Sequence, residues 1–106
     1  MQAFPNFGAL TEAIRFQRRN ESGQWGDYFS TRAELIPEMG SEVIKADSAR
    51  PAVRVRFRMR FVSLLSRTDP REVRVLHGDD TYNVTYVEDD RNRHVQMYVV
   101  CEREDR

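Results

Sequence analysis

The chain has 106 residues, 17 of them Lys or Arg and 17 Asp or Glu, so its formal net charge at pH 7 is zero, and its hydrophobic share is 40%. That length makes one small domain around one core, which excludes a large enzyme with a deep, walled active site. The single cysteine, Cys101, excludes a disulfide scaffold, and a four-ligand zinc site built from it with His77 and His94 would need carboxylates as well.

Residues 1–12 hold no basic stretch leading into an apolar run, and no segment approaches about 18 apolar residues, so a protein that stays in the cytosol is expected. This N-terminal segment forms one amphipathic turn or stays loose. Alternation begins at residue 13. Ile14 and Phe16 alternate with Arg15 and Gln17, which predicts a first strand over 13–19. The cluster Asn20-Glu21-Ser22-Gly23 ends it. Phe29, Thr31, Ala33 and Leu35 alternate with Ser30, Arg32 and Glu34 in a second strand, which Pro37 closes because proline cannot donate to a ladder.

Residues 38–49 break the pattern. Val43, Ile44 and Ala46 show no clear alternation, and the segment lies between Pro37 and Pro51. Ser41 could cap a short helical turn starting at Glu42, but a piece this short does not persist alone. It reads as a long excursion between the second and third strands, the kind of loop that in a compact domain is functional or disordered.

The clearest signal follows. Over 52–61 the apolar positions Val53, Val55, Phe57, Met59 and Phe61 are separated by Arg54, Arg56, Arg58 and Arg60, a period of two that marks a strand with one buried and one wet face. Val73 and Val75 carry a fourth strand to His77, and Gly78-Asp79-Asp80 turns it into a fifth at Tyr82, Val84 and Tyr86. A turn over 88–93 leads to a last strand at Val95, Met97, Val99 and Cys101. Residues 103–106 are charged and frayed. The fold expected is mainly β: a small six-stranded antiparallel barrel or sandwich over residues 13–102 with one long loop.

Constellations for catalysis are missing. No nucleophile elbow, phosphate-cradling glycine loop or metal-binding His-Glu-x-x-His helix occurs, so the reading assigns no catalytic residue, metal or cofactor. Cys101 falls on an inward strand position and reads as core filling. His77 and His94 read as turn or surface residues, and the pairs Asp79-Asp80 and Asp89-Asp90 as turn formers.

The arginine ladder has two readings. Four guanidinium groups at alternate positions span roughly 20 Å of strand and could track phosphates, the basis of an alternative in which a small β-barrel binds nucleic acid or a ligand through Arg54, Arg56, Arg58 and Arg60. The neutral chain and the carboxylates Glu34, Glu72 and Glu88 favour cross-strand pairing or a protein interface instead. Of the 17 basic residues all but Lys45 are arginine, whose planar fork suits fixed pairs; GC-rich codon usage gives the same bias.

The order of segments resembles the head-to-tail joining family of tailed bacteriophages, the head-closure or stopper proteins also found in prophages and gene transfer agents. The resemblance is carried by Ile14-Arg15-Phe16-Gln17-Arg18, the Gly23-Gln24 turn, Ala33-Glu34-Leu35-Ile36-Pro37, and Gly40-Ser41-Glu42 with Ala46. Arg56-Phe57-Arg58-Met59-Arg60, Arg74-Val75, Tyr82-Asn83-Val84 and the closing Val100-Cys101-Glu102 complete it. It implies a non-enzymatic virion protein that assembles as a ring, a hexamer or dodecamer, in the neck after assembly in the host cytoplasm. The implied partners are other copies of itself, a portal or adaptor ring, a tail terminator or tail tube, and packaged DNA, with no membrane. It also implies that the excursion, with Glu38, Ser41, Glu42, Val43, Ile44, Lys45, Ala46 and Asp47, faces the central channel. Arg54, Arg56, Arg58, Arg60, Glu34 and Glu72 would serve the subunit or partner interface, since a ring joins unlike edges of neighbouring subunits.

Overall fold

Among the described residues alternation becomes geometry in six strands, and two two-residue strands join them. The structure, a computed structural model, describes residues 6–38, 43–44 and 51–104, and at 43, 44, 51 and 52 the backbone alone. The strands are β1 (Glu12–Arg19), β2 (Trp25–Pro37), β3 (Val43–Ile44), β4 (Pro51–Ala52), β5 (Arg54–Arg60), β6 (Val73–His77), β7 (Asp80–Asp89) and β8 (Gln96–Arg103). A single-turn helix, α1 (Ser63–Ser66), follows β5, and 3-10 turns occupy Phe7–Ala9, Pro70–Glu72 and Asp90–Asn92.

Six strands close an antiparallel barrel in the order β1-β2-β5-β8-β7-β6. Closure comes from β1 pairing with β6, with Arg15 opposite Leu76 and Arg18 opposite Val73. That pairing decides between the two architectures the strand pattern allows, because a closed sheet leaves no second sheet to stack. The inward rows fill the interior: Ile14 and Phe16 on β1, Val55, Phe57 and Met59 on β5, and Met97, Val99 and Cys101 on β8 are all buried. Phe57 meets Tyr82 edge to face with ring centroids 5.4 Å apart, and Phe16 stacks on Phe29 at 4.5 Å. Leu65, on α1, joins the same core.

The turns follow from their residues. Gly78 has φ +57, a value that costs glycine nothing, and with Asp79 it forms the two-residue loop between His77 and Asp80. Asn20 ends β1 by accepting from the Ser22 and Gln24 backbone N–H groups, both at 2.9 Å.

Five expectations change. Val95, read as the first position of the last strand, lies ahead of β8, which begins at Gln96, and is 44% exposed. β2 starts at Trp25, four residues ahead of the first alternating apolar position, because Arg19 through Gln17 of β1 pair with Trp25 through Asp27; a bulge then leaves Tyr28 unopposed. A second bulge, between Val84 and Tyr86 of β7, turns Tyr86 outward to 48% exposure, and Val87 packs on the core instead. The strand expected over 52–61 divides, with Ala52 in β4 and β5 beginning at Arg54. Within the excursion, Val43 and Ile44 do not continue a helical turn; they are extended and pair with Ala52 and Pro51. Ser41, Glu42, Lys45, Ala46 and Asp47 lie outside the described residues.

Candidate functional site

The candidate residues fall on two features, the arginine row of β5 and the stem of the excursion beside it. Antiparallel pairing puts β2 on one side of β5 and β8 on the other, so each arginine looks across to residues of both. Arg58 is opposite Glu34 on β2 and Tyr98 on β8; its Nε donates to Glu34 Oε1 at 2.8 Å and its Nη1 to Gln96 Oε1 at 3.0 Å. Its Nη2 donates to the Asn6 carbonyl at 2.7 Å. With three donors placed, Arg58 is 8% exposed, the one charged residue buried among those described. The wet face expected for the whole row therefore fails here, because the N-terminal segment folds over it.

The other arginines are engaged differently. Arg54 lies 3.9 Å from both Glu38 and Glu102. The Arg56 guanidinium sits 4.8 Å from the Tyr98 ring centroid, and that of Arg60 4.1 Å from the Phe7 centroid. The row is an alternation of ion pairs and cation–π contacts knitted into the barrel wall, not a stripe of outstretched cations. That arrangement disfavours the nucleic-acid-binding alternative.

Glu34 is brought to the row as expected, and Glu72 is not. Glu72 sits in the 3-10 turn before β6 and pairs with Arg18 at 3.2 Å. Barrel order explains it: β6 neighbours β1 and β7, so nothing near its start reaches β5. Glu88, on β7, is separated from β5 by β8. Sequence reasoning missed Asn6, Phe7, Gln96, Tyr98 and Glu102 as partners of the row. Gln96, Tyr98 and Glu102 alternate on β8 and were findable once β8 was known to neighbour β5. Asn6 and Phe7 carry no periodic signal.

The excursion leaves the barrel through a defined stem. Glu38 N–H donates to the Arg54 carbonyl at 3.1 Å, and Arg103 N–H to the Val53 carbonyl at 2.8 Å, which ties both flanks to the wall next to the Glu38–Arg54–Glu102 cluster. Beyond the stem β3 and β4 form a separate two-stranded ribbon. Of the named excursion residues, Glu38 is thus at the root, and the backbones of Val43 and Ile44 are in the ribbon.

Several other titratable groups are held by contacts within the barrel and its turns. His77 Nε2 is 2.9 Å from Glu12 Oε1, and this hydrogen bond holds the Glu12 carboxyl below the usual carboxylate range. Glu12 accordingly contributes stability that is full above its unfolded pKa and is lost as pH falls through the folded one. Bonds from the Arg71 side chain and backbone do the same for Asp69. Burial, then the nearby Asp80 charge, pushes the Tyr82 phenol up. Burial alone pushes the Cys101 thiol up, which suits a core hydrophobe rather than a nucleophile. In the β7–β8 turn, far along the chain from His77, the His94 backbone N–H donates to Asp89 Oδ1 at 3.0 Å and its ring Nδ1 lies 2.6 Å from Asp89 Oδ2. Among the described residues no group of His, Cys, Asp and Glu could hold a metal ion. No helix among them is long and apolar enough to cross a membrane.

Arg58→Ala tests whether this knitting matters. It strands the Asn6 carbonyl and the Gln96 amide oxygen beside a vacated guanidinium site, and a loss of about 2–3 kcal/mol is expected. Chemical denaturation read as a change in midpoint at constant slope checks it. A loss under about 0.5 kcal/mol would show that the three bonds only offset the desolvation of the charge.

Comparison with known proteins adds a family and a fold. The family model described as phage head completion protein matches residues 5–104. Among solved structures, a chain from the virion of a native gene transfer agent particle superposes with a TM-score of 0.69 at 15% identity, covering 91% of this chain and 96% of that one. At that identity the likeness concerns the fold. No curated protein matches the chain.

Proposed function

The chain belongs to the family of phage head completion proteins, and from that premise we propose that it forms a ring at the neck, closes the DNA-filled head and presents a surface to the tail. It is a structural head-closure component, and membership in a structural family supports a non-enzymatic role. The match over 5–104, nearly the whole chain, is the observation that carries the proposal.

Three features of the chain suit it. A closed barrel gives each subunit a stiff body, since each wall strand is held by a ladder on both sides over part of its length. The neutral charge is distributed as locally paired arginines and carboxylates, so a head-to-tail interface can match unlike edges without net repulsion around a ring. The excursion is tied at its stem and carried on its own ribbon, a construction that lets a loop reach away from the wall. In this reading residues 38–49 face the channel and the packaged DNA, and the outer arginines nearest the stem, Arg54 and Arg56, border a neighbouring subunit. The other partners are a portal or adaptor ring on one side and a tail terminator or tail tube on the other.

Negative-stain electron microscopy of the purified chain mixed with the portal and adaptor proteins of its own phage or prophage tests the ring. Annular particles that gain a layer on addition of this chain are expected. A chain that stays monomeric and leaves the portal–adaptor particles unchanged would refute the proposal.

A further inference from the structure

β2 is longer than its barrel partner. It has 13 residues, but β5 pairs with it only from Ala33 to Pro37, so residues 25–32 have β1 on one side and no strand on the other among the described residues. The burial pattern agrees: Ala33 is fully buried, whereas none of residues 25–32 is. The Glu38 N–H bond to the Arg54 carbonyl sets which residues of β2 aim their backbone groups at β5, and alternation gives the even-numbered ones up to the bulge at Tyr28. Ser30 therefore turns its N–H and C=O toward the open side. Unpaired strand edges are templates for another strand.

A groove of about 500 Å³ runs beside this edge, lined by Phe7, Leu10, Ser30, Thr31, Arg32 and Arg60. Two of these are cations and none is an acid. Arg60 stacks on Phe7, and Arg32 donates to the Thr11 carbonyl at 3.1 Å with Glu12 near it, so both guanidinium groups are held at the rim with donors to spare.

We propose that this edge receives an extended acidic segment of a partner protein, which adds a short strand beside Ser30 and sets its carboxylates on Arg32 and Arg60. Strand addition takes its affinity from main-chain bonds and its specificity from alternate side chains, and here the side-chain requirement is negative charge. The inference is separate from the channel role of the excursion, whose residues it does not use.

The test is a titration of the isotope-labelled chain with two capped seven-residue peptides, one alternating glutamate with valine and one alternating lysine with valine, followed by amide chemical shifts. The glutamate peptide is expected to shift residues 29–32 and to bind at least about tenfold more tightly than the lysine peptide. The double variant Arg32→Glu/Arg60→Glu should invert that preference. Ser30→Pro, which removes an N–H that does not face β1, should abolish the response while the rest of the spectrum stays dispersed. Equal response to both peptides, shifts confined to other surfaces, or none at millimolar peptide would overturn the proposal. So would concentration-dependent shifts of residues 29–32 without peptide, which would make the occupant a second copy of the chain.

Discussion

Replacing Phe57 with alanine is expected to lower the unfolding free energy by about 3–5 kcal/mol, the cost of emptying a fully buried aromatic site that its neighbours cannot refill. Phe57 is fully buried at the middle of β5, edge-on to Tyr82 and 5.9 Å from the His77 ring, with β2 on one side and β8 on the other. A rigid barrel relaxes poorly, because moving one wall strand strains ladders on both sides. For a domain of this size each kcal/mol is worth about 4–8 °C, so thermal unfolding should drop by at least roughly 12 °C. Arg56→Ala, one position along the same strand but outward-facing, removes a cation–π contact and should cost about 1 kcal/mol or less. If the two variants unfold at the same temperature, the inward row is not what holds the barrel.

The second large effect is functional. Deleting residues 42–47 is expected to leave the barrel folded, with thermal unfolding within a few degrees of the parent, while filled heads assembled with the variant lose DNA or fail to take tails. The physical ground is that among the described residues β3 pairs with β4 alone, so none of the six barrel ladders loses a strand. A shorter loop even lowers closure entropy slightly, by well under about 1 kcal/mol. Circular dichroism and a thermal melt give the first readout, and nuclease sensitivity of the DNA in purified heads the second. A deletion variant that cannot fold would make the excursion part of the core. A folded one whose heads keep their DNA and join tails would remove the channel role.

The candidate site was partly legible. Alternation over 52–61 named the four arginines and put them on one strand face, and Glu34 was available as a partner because its own strand was readable. Periodicity alone reads Arg58 as exposed, but its Nη2 bonds the carbonyl of Asn6, 52 residues away in sequence, in a segment without periodicity. Glu72 reads as a partner of the row because nothing local says that β6 neighbours β1 and not β5. The outward Tyr86 has a similar cause: a bulge inserts one residue into a ladder, and its position depends on the partner strand as much as on β7 itself.

By itself the sequence determined what short-range geometry determines. A two-residue period fixes which side chains share a face, so the inward rows of Ile14 and Phe16, of Val55, Phe57 and Met59, and of Met97, Val99 and Cys101 were all readable, as was the Gly78-Asp79 turn. Strand order, and therefore closure, was decided only in the tertiary structure. Pairing β1 with β6 joins residues more than fifty positions apart, and the gain from closing the sheet is shared over the whole barrel, so no local window carries it. The open upper half of β2 follows from the same fact. Alternation marks only the part of it from Phe29 onward, and the shorter length of β5 beside it leaves an edge for a partner to use.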